Sequence, residues 1–148
     1  MKRILLLATL ALTSTFASAN SDVMIHNAYA RATPPNAPTS AVFVTLMNKE
    51  ETPRSIVSAS SPASGKVELH THVKEGDVMK MRQVDQISIP ASGTVELKPG
   101  GLHIMLFDLQ QDFIEGKSIE VTINFANGDQ QTFTAPIKKV MAGMKMKH

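Results

Sequence analysis

Between residues 23 and 137 the apolar positions recur in short runs with a period of two, and no window sustains a helical period over three turns. The runs cover 23–30, 41–48, 54–60, 66–73, 78–84, 94–97, 102–107, 118–125 and 130–137, each rich in residues that favour strands. Turn residues separate them, including Pro34-Pro35-Asn36, Ser64-Gly65, Glu75-Gly76-Asp77, Pro99-Gly100-Gly101 and Asn127-Gly128-Asp129. The last pair is the cleanest: Ile119, Val121, Ile123 and Phe125 alternate with polar residues, the chain turns at Asn127-Gly128, and Phe133, Ala135 and Ile137 return. Many short antiparallel strands in about 120 residues predict a β-sandwich or barrel. The stretch FDLQQDF at 107–113 is compatible with a turn of helix or a loop.

The N-terminus reads differently. Lys2 and Arg3 precede an apolar run from Ile4 to Leu12, and Ala17-Ser18-Ala19 forms a small-residue cleavage site. This is the pattern of a secretory signal peptide cleaved after Ala19, too short for a spanning helix, so no membrane insertion is expected once it is removed. The expected organisation is a signal at 1–19, one β domain at 20–137 and a flexible Met/His-rich tail at 138–148.

Cleavage removes two of the 15 basic residues and none of the 13 acidic ones, leaving an exported chain near neutrality. Nucleic acid is therefore not expected as a partner, nor a membrane surface chosen by charge. The chain has no cysteine, which rules out disulfides, thiolate nucleophiles, a blue-copper site and lipid attachment through an N-terminal thiol. It has nine methionines, all but Met1 lying beyond the signal.

Three pairs spaced by two residues stand in the central region: His70 with His72, Met79 with Met81, and His103 with Met105. Each pair shares one face of its strand, while Leu102, Ile104 and Leu106 take the other face of theirs. A hairpin looped over Lys74-Glu75-Gly76-Asp77 would set Val73 opposite Val78, His72 opposite Met79 and His70 opposite Met81, with Cβ atoms roughly 5 Å apart. Imidazole nitrogen with thioether sulfur is a soft donor set, and Cu(I) is the metal that thioethers select. An isolated Met is ordinarily core filler, and Met24, His26 and Met47 are read as core or surface. The expected metal ligands are His70, Met81, His103 and Met105, near the start of a strand delivered by Pro99-Gly100-Gly101 and close to solvent. His72 and Met79 are accessory candidates. In the tail, Met141, Met144, Met146 and His148 form either a solubilising terminus or a mobile second metal-binding arm, where His148 and the terminal carboxylate would also accept Cu(II).

The spacing His70, ten residues, Met81, twenty-one residues, His103-x-Met105 resembles the signature of the periplasmic Cu(A) chaperone family, PCu(A)C. VELHTHV, GDVMKMR, VELKPGGLHIML and the earlier AYARATPP and SAVFVTLMN are similar to the family as well, so the resemblance runs from about Val23 to Ile137. It implies an all-β, cupredoxin-like antiparallel Greek-key β-sandwich holding one Cu(I) through His70, Met81, His103 and Met105. It also implies a periplasmic, non-catalytic copper chaperone that delivers to a recipient such as cytochrome c oxidase subunit II, for its Cu(A) centre, or a Sco-type protein. Copper storage or detoxification in the periplasm is the alternative. No acid/base or nucleophile constellation is apparent in the sequence.

Overall fold

The computed structural model describes residues 23–140. Cleavage at Ala19 and the tail donors Met141, Met144, Met146 and His148 lie outside the described residues. Every regular element among the described residues is a strand: β1 (Val23–Arg31), β2 (Thr39–Asn48), β3 (Arg54–Ser60), β4 (Ser64–Glu75), β5 (Val78–Gln83), β6 (Ile87–Ile89), β7 (Thr94–Leu97), β8 (His103–Leu109), β9 (Ser118–Phe125) and β10 (Gln130–Lys138). Nine of them match the predicted runs. The tenth, β6, is three residues long and closed by Pro90, too short for alternation to announce it, yet Ile87 and Ile89 are fully buried. The 107–113 stretch finishes β8 and continues as a loop.

The strand order is β5-β4-β8-β2-β1-β10-β9-β3-β6, and β7 pairs with β2 beyond the end of β8. All ladders are antiparallel except β1 with β10, where Ala30 pairs Ile137 and Arg31 pairs Lys138 in parallel. This departs from a purely antiparallel sandwich: the last strand lies alongside the first and joins the β5-β4-β8-β2-β1 half to the β10-β9-β3-β6 half. Both halves supply one apolar core, with Val42, Val44, Leu46, Ile104 and Leu106 from the first and Ile56, Ile87, Val121, Ile123 and Ile137 from the second. Burying these side chains is the main drive for folding, each contributing about 1.5 to 3 kcal/mol.

Strand β2 is buried on both faces. Its alternate residues Ala41 and Phe43 are covered, yet they stand outside the main core cluster. Tyr29 packs over Phe43 with ring centroids 5.2 Å apart, forming a thin aromatic layer on the outer face of the sheet. A bulge in β1 makes this possible. Asn27 takes a left-handed conformation (φ 52°), and the register shifts by one between His26 and Tyr29, bringing Tyr29 opposite Phe43.

The β4–β5 hairpin sets the register of the candidate ligands. Glu75 pairs Val78, so the loop is only Gly76-Asp77, and Gly76 has φ +62°. Glycine with positive φ at the first central position is the signature of a type II′ turn, whose twist suits a two-residue hairpin. The expected four-residue loop is therefore corrected to two, and the pairing moves by two residues: His72 faces Met81, Lys74 faces Met79, and His70 faces Gln83. A shift of two leaves every side chain on its predicted face. A Cβ added at Gly76 would meet nothing within 4 Å, so the cost of Gly76→Ala is conformational. We expect a loss of about 1 to 2 kcal/mol, measured by urea unfolding, with the fastest amide exchange of the variant in β5.

Candidate metal centre

The outer face of the first half-sheet gathers the donors. β8 lies between β4 and β2, and its register places His103 directly opposite His70, and Met105 opposite both Glu68 and Ala41. Ile104 and Leu106 point the other way and are wholly buried in the core. The alternation that builds the core thus commits His103 and Met105 to the face shared with His70, His72 and Met81.

His103, Met105, Met81 and His72 line one pocket of about 210 Å³, together with Phe43 and Arg31. The imidazole of His103 is 2% exposed, which corrects the expectation of a ligand close to solvent. Openness comes instead from the edge strand β5, where Met81 is 50% exposed. His103 stacks at a tilt against His72 (ring centroids 5.2 Å), His70 (5.8 Å) and Phe43 (6.3 Å). Arg31 lies over Phe43 at 5.9 Å, bringing a cation to the pocket lining.

The ring of His103 is oriented by the turn before it. Lys98-Pro99-Gly100-Gly101 closes with the Gly101 amide donating to the Lys98 carbonyl at 3.0 Å, and Gly100 has φ +83°. Proline followed by a positive-φ glycine is a type II turn. The Gly101 carbonyl then lies 3.0 Å from Nδ1 of His103. A carbonyl only accepts, so Nδ1 carries the hydrogen and Nε2 keeps a free lone pair. Burial pushes the His103 pKa below the ordinary histidine value, against the opposing pull of the Gly101 hydrogen bond and with smaller help from the nearby His72, His70 and Arg31. A neutral imidazole with its second nitrogen tied to a backbone carbonyl is the form in which histidine binds metals.

His70 pairs with His103 across the ladder but does not itself line the pocket. Its Nε2 lies 2.7 Å from Oε2 of Glu68, whose other oxygen is 2.8 Å from Nζ of Lys66. The hydrogen bonds from Lys66 and then His70 hold the Glu68 carboxyl below its usual range. Nδ1 of His70 is buried without a hydrogen-bond partner. His70 and Met81 are diagonal neighbours, about 7 to 8 Å apart and somewhat less between their Cβ atoms, a span that two long side chains can bridge. Met79 is an exposed neighbour of Met81 on the same face, outside the pocket, paired with Lys74. Met24 and Met47 pair with each other on β1 and β2 and do not line the pocket.

Sequence reasoning missed Glu68, Tyr29, Phe43 and Arg31 at this face. Glu68 carried a signal, since it stands two residues before His70 and must share its face. The other three come from β1 and β2, and only the sheet order brings them here. Among the described residues, no three His, Asp or Glu side chains converge on a common point, so a multidentate site at this pocket draws on the two thioethers.

Fold and site together define an all-β, cupredoxin-like domain with an imidazole–thioether pocket on one sheet. The chain belongs to the family described as "Putative lipoprotein LpqE-like", whose model matches residues 23–137. It is 32% identical over 99 residues to "Putative lipoprotein Lxx21020" of Leifsonia xyli subsp. xyli (strain CTCB07), covering 66% of this chain and 60% of that protein. It is 33% identical over 93 residues to "Uncharacterized protein RP573" of Rickettsia prowazekii (strain Madrid E), covering 62% and 51%. The matches thus span between half and three fifths of these curated relatives.

Among solved structures, apo-DR1885 from Deinococcus radiodurans superposes with a TM-score of 0.65 at 29% identity, covering 95% of each chain. CuI-DR1885 from the same organism gives 0.66 at 28% identity, covering 85% of this chain and 87% of that one. The copper-bound PCuAC domain from PmoF2 gives 0.68 at 20% identity over 80% and 94%, a likeness of fold.

Proposed function

We propose that this protein is an exported copper chaperone that carries one Cu(I) at the pocket on its outer sheet face and passes it to a recipient protein. His70, Met81, His103 and Met105 are the primary ligands in this reading, and His72 is the accessory donor. The observation that carries it is the buried His103, whose Nδ1 is held by Gly101 and whose ring shares a pocket with two thioethers in a chain without cysteine. Imidazole and thioether together favour Cu(I) over harder divalent ions. The similarity to CuI-DR1885 supports the same cargo.

The open edge at Met81 suits release. A recipient can displace an exposed thioether first and take the ion by stepwise ligand exchange, while buried His103 holds it last. No catalytic role is assigned. The recipient is proposed as a copper-receiving protein such as cytochrome c oxidase subunit II or a Sco-type protein. The periplasm is proposed from the signal at 1–19.

The test is anaerobic competition for Cu(I) against a chromophoric chelator, comparing wild type with His70→Ala, His72→Ala and a truncation after Lys139. One Cu(I) should bind to the wild type and to the truncated chain, and His70→Ala should weaken it more than His72→Ala. Equal affinity in wild type and both histidine variants would remove β4 from the site. Loss of binding on truncation alone would move the site to the tail.

A further inference from the structure

Resting on the copper reading above, we propose that Glu68 is a positioning residue that fixes His70 in the tautomer offering Nδ1, and not Nε2, to Cu(I). The geometry is specific. A carboxylate oxygen only accepts, so the ring nitrogen 2.7 Å from Glu68 must carry a hydrogen, which makes the neutral, metal-binding form of His70 the Nε2–H tautomer. The lone pair then lies on Nδ1, a buried nitrogen without a hydrogen-bond partner among the described residues. An orphaned buried acceptor is uncommon and calls for a physical reason. Here the reason is that Nδ1 is held ready for a metal.

The ring has little freedom to turn. It is wedged between His103 and Phe107, both with ring centroids 5.8 Å away, and its side chain is only 12% exposed. Glu68 is itself held by Lys66 and is 17% exposed, so the orienting carboxylate is fixed before copper arrives. His103 shows the opposite arrangement, with Nδ1–H on the Gly101 carbonyl and Nε2 free. The two imidazoles therefore face the ion through different nitrogens, one oriented by a backbone carbonyl and one by a carboxylate.

Charge gives Glu68 a second role. Two imidazoles and two thioethers are neutral, so bound Cu(I) would keep its full positive charge in a partly buried site. The Glu68 carboxylate supplies a compensating negative charge through the His70 ring, raising its donor strength. Partners of this kind typically change metal affinity tenfold to a hundredfold when removed.

The experiment combines imidazole-nitrogen NMR of the 15N-labelled protein, titrated anaerobically with Cu(I), with chelator competition on Glu68→Gln and Glu68→Ala. Cu(I) is diamagnetic, so the ligating nitrogens are read directly from their resonances. The expected result is that Nδ1 of His70 and Nε2 of His103 move on binding while Nε2 of His70 stays protonated. Glu68→Ala should weaken Cu(I) binding about tenfold to a hundredfold, and Glu68→Gln, which keeps an acceptor but no charge, by less. In metal-free Glu68→Ala the His70 ring should lose its single tautomer, a change that a purely structural role would not produce. Loss of the Nε2 proton of His70 on Cu(I) binding, or unchanged affinity in Glu68→Ala, overturns the inference. If His103 responds and His70 does not, the copper site stands and the role of Glu68 falls. If no histidine responds in the wild type, the copper reading fails and takes this inference with it.

Discussion

Changing both Met81 and Met105 to leucine weakens Cu(I) binding by more than about 100-fold while leaving the fold intact. Loss of two coordinating atoms should exceed the tenfold to hundredfold that outer partners alone cost. Leucine nearly matches methionine in volume, and such exchanges cost less than about 1.5 kcal/mol even in cores. Met81 is on an exposed edge strand and Met105 is only partly buried, so the structural cost is smaller than in a sealed core. What disappears is the pair of soft donors, leaving His70, His72 and His103. The variant should also shift preference toward Cu(II) and Zn(II), which imidazoles suit, so relative affinity for these ions rises as that for Cu(I) falls. Anaerobic chelator competition reads the first effect and calorimetric titration the second. Unchanged Cu(I) affinity in the double variant would reduce both methionines to packing residues.

Phe113→Ala produces the second large effect, on stability and not on metal. Phe113 stands in the loop between β8 and β9, outside any strand, yet it is fully buried within the main core. Its carbonyl accepts the Thr33 amide at 3.0 Å, tying this loop to the segment after β1. Truncating a fully buried phenylalanine removes its transfer free energy and leaves a cavity, a loss of about 3 to 5 kcal/mol. For a domain of this size that lowers Tm by on the order of 15 °C. Urea unfolding should show a lower midpoint with an unchanged m-value. Phe113 does not line the metal pocket, so Cu(I) affinity below the new transition should match wild type. Opposite outcomes for this variant and the double leucine variant would separate the core from the site.

The β class of the domain, the existence and approximate place of nine strands and the face assignments of His70, His72, Met81, His103 and Met105 were legible in the chain, whereas β4 runs two residues past its predicted run at each end, through Ser64-Gly65 and Lys74-Glu75. A strand period of two is a local property of the backbone, so membership of a face can be read without knowing the neighbour. The choice of soft donors was legible too, because the absence of cysteine and the abundance of methionine are matters of composition. Register was not. Whether His70 or His72 faces Met81 depends on a turn of two residues or four, and both keep the same faces; the positive φ of Gly76 decides it. Nor was strand order legible. That β8 inserts between β4 and β2, setting His103 against His70 and near Phe43, follows from burying Ile104 and Leu106 in a core shared by both halves of the molecule. The same burial leaves His103 nearly inaccessible while Met81 stays open, and it brings Phe43 and Met105 to the face of His70. These relations join residues far apart in the chain, and only the packed sheet defines them.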